Sequence, residues 1–254
     1  MQHNPRDWLR PAGTGFSTLS MHCHVEYDPV LLARAFQRAN PEMADLVASG
    51  TMAAIVPDGV AAAAEVSQRF RHEWLIWWRK PSCWRDDIVW ENGGRMISIV
   101  CDTLSASYVS ALHTLYTNQR PGRQWPRLRS LVQPRIRYEL PTLENRMELV
   151  PLVARSFLAG NWELSVVGKQ VYVGREAVRL RAARTDGSGP GLWDGVDEYE
   201  VLVDGRHDVL LRVAGIVDGE EAGSFAAGEV RFDVGIPDDV FTFTPPRRTK
   251  VVCV

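Results

Sequence analysis

FTFTPP, residues 241–246, decides how this chain of 254 residues is read, because it closes a C-terminal half written as successive antiparallel strands. Phe241 and Phe243 alternate with Thr242 and Thr244, and alternation at period two gives a strand one apolar and one polar face. Working back, YEVLVD at 199–204, VLLRVAGIV at 209–217 and SFAAGEVRFDV at 224–234 repeat the pattern. Turns are expected at Asp204-Gly205 and Asp218-Gly219, where glycine supplies the positive φ that primed hairpin turns need. Pro245-Pro246 then ends the ladder, since proline donates no backbone hydrogen bond.

Upstream, helical and strand periods alternate. Asp28-Pro29 reads as a helix start, with Asp as N-cap and Leu31, Leu32, Ala35, Phe36 and Ala39 forming an apolar stripe. Further helices are expected at 42–49 and at 142–154. From Val66 the period changes to two, placing Phe70, Trp74, Ile76 and Trp78 on one face and Arg69, Arg71 and Glu73 on the other. Pro81 breaks this strand, and 84–91 and 95–101 complete a meander. Residues 111–140, with Arg120, Arg123, Arg127, Arg129, Arg135 and Arg137 among prolines, read as a solvated excursion. Strands follow at 162–167 and 178–183. The whole reads as α+β: a strongly curved antiparallel sheet, an open half-barrel, with helices covering its concave face. Residues 1–27 are expected to form an irregular arm and 28–254 a single domain.

Composition excludes some classes of function. A formal charge of −2 gives no global field for nucleic acid or an anionic membrane. No run approaches the roughly 20 apolar residues of a membrane span. The opening stretch carries Pro5, Asp7 and Pro11 and no apolar core of a signal peptide, so a cytoplasmic location is expected. Cys23, Cys83, Cys101 and Cys253 show no CxxC or zinc-ligand spacing and are expected as free, mostly buried thiols.

Few residues suggest chemistry. His22-Cys23-His24 sets two imidazoles at i and i+2, but no adjacent carboxylate or second cysteine completes a tetrahedral set, so no metal is expected. Asp86-Asp87 and Asp238-Asp239 are neighbours; on a strand such a pair points to opposite faces and cannot share a proton. His207 is expected as a solvated turn residue. No GxSxG, Walker or GxGxxG sequence occurs, so neither a catalytic residue nor a cofactor is expected. Trp74, Trp77, Trp78, Trp84 and Trp90 are five of the nine tryptophans. Trp77 and Trp78 must face opposite sides, which means the sheet is covered on both faces or lines a cavity with one.

Three segments carry a resemblance: WLIWWRKPSCWRDD at 74–87, ELVPLVARSFLAGNWELSVVGKQVYVGREAVRLRA at 148–182 and FDVGIPDDVFTFTPP at 232–246. Together they resemble the bacterial LolA-like superfamily of lipoprotein carriers, which includes RseB-type regulators. The resemblance implies a cavity between curved sheet and helices, and an Arg before the proline that latches lid helices. Lys80 stands at that position, preceded by Arg79, and lysine offers a point charge in place of a fork. The expected function is non-enzymatic binding of an acyl chain, lipid or lipidated peptide, with Trp74, Ile76, Trp78, Trp84, Trp90, Leu31 and Phe36 against the ligand. At about 0.8 kcal/mol per methylene, a long chain gains on the order of 10 kcal/mol gross. An RseB-type protein-binding regulator, with a protein partner, and a cytosolic biosynthetic enzyme using the cavity are the alternatives.

Overall fold

A computed structural model of the chain describes residues 15–39, 69–80, 82–101, 104–118, 162–185, 192–193 and 195–253. The strands are β1 (Thr18–Tyr27), β2 (Phe70–Arg79), β3 (Cys83–Trp90), β4 (Arg95–Cys101), β5 (Leu104–Val109), β6 (Thr114–Thr117), β7 (Glu163–Tyr172), β8 (Arg175–Ala183), β9 (Glu198–Asp204), β10 (Leu210–Val217), β11 (Glu220–Phe232) and β12 (Lys250–Cys253). Helix α1 is Pro29–Ala39, and Asp238–Phe241 make one turn of 3-10 helix. The strands form a twelve-stranded sheet in the order β12-β6-β5-β4-β3-β2-β1-β11-β10-β9-β8-β7. It is open, ending at β12 and β7. The chain divides into two compact units: Met1–Gly15, Cys23–His72 and Val150–Gly228 make the first, and Phe16–His22, Glu73–Leu149 and Glu229–Val254 the second.

In the first unit, the alternation of β8, β9 and β10 sends Val178, Leu180, Tyr199, Val201, Val203 and Val213 into one core with Leu31 and Ala35 of α1. Each fully buried aliphatic side chain of this kind contributes about 1.5–3 kcal/mol. Asp28 caps α1 as expected, its Oδ1 accepting from the backbone N–H of Val30 at 2.9 Å and of Leu31 at 3.0 Å. The helix lies so near Gly195 that a Cβ there would stand 1.8 Å from the Ala35 carbonyl oxygen, at a φ of +77°. Only glycine permits that approach. Asp218 and Gly219, at φ 53° and 83°, turn β10 into β11 where the turn was expected.

In the second unit, β3 pairs with β4 and β4 with β5, and the tail covers one side of them. Phe241 packs with Cys83 and Ile236, while Phe243 packs against Ile97, Ile99, Ala106, Tyr108 and Leu115. The alternation in FTFTPP therefore holds, with phenylalanines inward and threonines exposed. It is not a strand. Phe241 ends the 3-10 turn, and the carbonyls of Val240 and Thr242 are taken by Nη1 of Arg85, at 2.8 and 3.3 Å, where a strand would supply N–H groups. Nor do the prolines end the sheet: Thr249 turns back onto Pro246, and β12 then pairs with β6 in parallel. The sheet is mixed rather than antiparallel throughout.

Other expectations change too. Residues 18–27, read as part of an irregular arm, are β1, with Leu19, Met21 and Cys23 buried. Residues 114–117, read as solvated excursion, are β6 and buried. Among the described residues α1 is the one α-helix; the helices expected at 42–49 and 142–154 lie outside them. Cys83 and Cys101, directly opposite on β3 and β4, form a disulfide, and Cys23 and Cys253 stay outside it. Spacing along the chain carried no sign of this, because strand register makes the pair.

Candidate functional site

The tryptophan-rich strands of the second unit build the most distinctive surface. On β2, Trp74, Ile76 and Trp78 share a face by alternation, with Ile76 and Trp78 buried. On β3 the matching face carries Trp84, Asp86, Ile88 and Trp90, of which Trp84 is buried and Trp90 half-buried beside the Asn92–Gly94 turn. Asp86 joins the two strands: its Oδ2 accepts from Trp74 Nε1 at 3.3 Å and its Oδ1 from Trp84 Nε1 at 3.2 Å. A carboxylate 1% exposed survives there because its oxygens are hydrogen-bonded. Register sets Ser98 opposite Asp86 and Ser107 opposite Ser98, their hydroxyls 3.5 Å apart, so a polar row crosses an aromatic face.

Trp78 ends this face. Phe16 meets its ring edge-on at 5.1 Å and Phe232 meets Phe16 at 4.9 Å. Its Nε1 is buried and has no hydrogen-bond acceptor among the described residues. Such an orphan donor costs about 1–3 kcal/mol.

The opposite face of the same strands is organised by arginines. Asp87 points away from Asp86, as neighbours on a strand must, and takes a two-pronged bond from Arg85 at 2.8 and 2.9 Å together with Arg95. The Arg85 guanidinium lies 5.5 Å from the centre of the Trp77 ring. Arg79 donates to Asp238 Oδ1 at 2.7 Å and to the Ile236 carbonyl at 3.2 Å, and its guanidinium stacks on Phe241 at 4.7 Å. Asp238 and Asp239 thus serve the turn and its anchor. Lys80 is exposed, its ammonium 5.9 Å from the Trp78 ring centre. Both sides of the sheet at Trp77 and Trp78 are covered.

Of the residues singled out for ligand contact, Trp74 and Trp84 meet at Asp86, while Ile76, Trp78 and Trp90 share their face. Leu31 belongs to the core of the first unit, and Phe36 lies half-buried on the same helix. Sequence reasoning missed Asp86 as a centre and the serine row, since cross-strand register is not written in spacing. It also misplaced His207, whose side chain is 8% exposed with Nδ1 3.0 Å from Asp204 Oδ1.

The His22-Cys23-His24 run lies on β1. Cys23 is fully buried, and burial pushes its thiol well up, so it is held neutral. The carboxylate that the run lacked is supplied by β2: Glu73 Oε2 stands 3.6 Å from His22 Nε2.

No protein-family model and no curated protein matches the chain. Solved structures do. The complex of MucB with MucA(peri) overlays with a TM-score of 0.50 at 12% identity, covering 99% of this chain and 63% of that one. The Pseudomonas aeruginosa MucA/MucB complex overlays at 0.49 and 13%, covering 95% and 62%. Lipoprotein LppX of Mycobacterium tuberculosis overlays at 0.37 and 11%, covering 92% and 98%. The chain spans about three fifths of the MucB chains it matches. At these identities the likeness is one of fold.

Proposed function

We propose that this fold serves binding rather than catalysis, and that its ligand is hydrophobic with a hydrogen-bond acceptor at one end: an acyl chain, a lipid or a lipidated peptide. The observation that carries this reading is the orphan indole N–H of Trp78 in a face of tryptophan and isoleucine. An ester or carboxyl oxygen is the group that such a donor wants, and the neighbouring rings suit the chain behind it. Because Ile76, Trp78 and Trp84 are buried within the protein itself, uptake exchanges protein contacts for ligand contacts, and the net gain is well below the gross one.

Trp78→Phe separates the two contributions. The ring surface is kept and the donor removed, so the affinity for a fluorescent fatty acid should fall about five- to tenfold, while the ligand-free protein melts no lower than wild type. Unchanged affinity, or no uptake of any acyl probe by the wild type, overturns the reading.

A second reading has its own support: the structural neighbour with a TM-score of 0.50 is MucB held in complex with MucA(peri). A peptide-binding regulator would retain a discrete protein, and no lipid, on gentle purification from its host. Either role accords with a disulfide-permissive compartment, which the Cys83–Cys101 pair supports against the cytoplasmic expectation.

A further inference from the structure

We propose that the ligand ends in a free carboxylate, as a fatty acid does, held jointly by Trp78 Nε1 and the Lys80 ammonium, an assignment that rests on the binding role above. The backbone N–H of Lys80 donates to the Ser17 carbonyl at 2.9 Å, so the backbone pairing at the end of β2 reaches Lys80. Side chains alternate along this run, and Trp78 and Lys80 fall on one side with Arg79 on the other. The Lys80 ammonium lies 5.9 Å from the centre of the Trp78 ring and Lys80 is exposed. Trp78 is 4% exposed, and its Nε1 is buried without an acceptor among the described residues. A buried neutral donor and a solvent-reached cation therefore meet at one ring.

The neighbouring groups of the same kinds are already engaged. Trp74 and Trp84 give their indole N–H groups to Asp86, while the Arg79 guanidinium is taken by Asp238, the Ile236 carbonyl and the Phe241 ring. The Trp78 donor and the Lys80 charge are the pair left for a ligand. One indole N–H and one ammonium match the two oxygens of a carboxylate. A neutral ester brings oxygens but no charge to answer the ammonium, and an alkyl phosphate, with three terminal oxygens and a second charge, calls for more donors than this pair supplies. Pairing is also what lets an ionised group sit beside buried rings, since an unpaired charge there is strongly disfavoured.

Displacement of a neutral apolar dye from the full chain, near neutral pH and below micelle-forming concentrations, tests the assignment with dodecanoate, methyl dodecanoate and dodecyl phosphate. Dodecanoate should bind about tenfold more tightly than its methyl ester, because its hydrogen bonds are charge-assisted. Lys80→Met should remove that preference by weakening dodecanoate alone, and Lys80→Arg should keep most of it. Thermal melts of both variants should match the wild type, since Lys80 is exposed. Equal affinity for acid and ester, a preference untouched in Lys80→Met, or tighter binding of dodecyl phosphate than of dodecanoate would each overturn the carboxylate while the apolar binding role stands. A dye displaced by none of the three would overturn both.

Discussion

Asp204 shows how much one buried carboxylate organises. Its Oδ1 accepts from the backbone N–H groups of Arg206 at 3.0 Å and His207 at 2.7 Å, and its Oδ2 from Arg175. Burial pushes the carboxyl up, but the Arg175 guanidinium and the two N–H groups outweigh it and hold it below its usual range. A group with a depressed folded value adds stability above its unfolded value, about 3.9, and loses it as pH falls through the folded one. Asp204→Asn should therefore cost about 2–3 kcal/mol near pH 7, and the gap between wild type and variant in urea midpoints should close as pH drops below about 4. A gap independent of pH would contradict this. The turn at Asp204-Gly205 was legible in place, although its positive φ falls on Asp208, at 55°, and not on Gly205 as expected; the burial of His207 was not legible, because it depends on Arg175 arriving from β8. The same division governs the histidine run on β1, visible in the chain, and Glu73, which only the neighbouring strand supplies.

The β7–β8 hairpin carries a local misfit at the scale of elements. Val173 sits at φ 45° before Gly174 at 73°, and a β-branched residue is poorly suited to that left-handed region. Val173→Asn should stabilise the protein by about 1 kcal/mol, read as a higher denaturant midpoint at unchanged slope. A fall would mean that the valine side chain, exposed though it is, contributes more by packing than its backbone costs. Elements with strong local signals, such as α1 with its Asp28 cap and β4, were legible to within a residue or two. β1 also left a signal, since Leu19, Met21 and Cys23 alternate with Ser20, His22 and His24, but Pro11 and the nearby glycines masked it. β6 and β12 are too short to announce themselves, and their pairing joins segments far apart in the chain.

Across the whole molecule, the Cys83–Cys101 link closes a loop with a sequence separation of 18. Chain-entropy reasoning puts its contribution at about 3 kcal/mol. Replacing both cysteines by serine, or adding a thiol reductant, should lower the melting temperature accordingly; an unchanged melt would show that the pair is not joined in solution. The sequence alone was sufficient for the period of the strands, the helix at Asp28 and the places of the hairpin turns in the C-terminal half, because each is a local pattern of burial or backbone freedom. Only the tertiary structure decided that FTFTPP is an extended tail bound by Arg85, that two cysteines meet, and that Asp86, Ser98 and Ser107 line up among the tryptophans. Those outcomes depend on which strands become neighbours and in what register, a choice made by the collective burial of the sheet and written in no single stretch of chain.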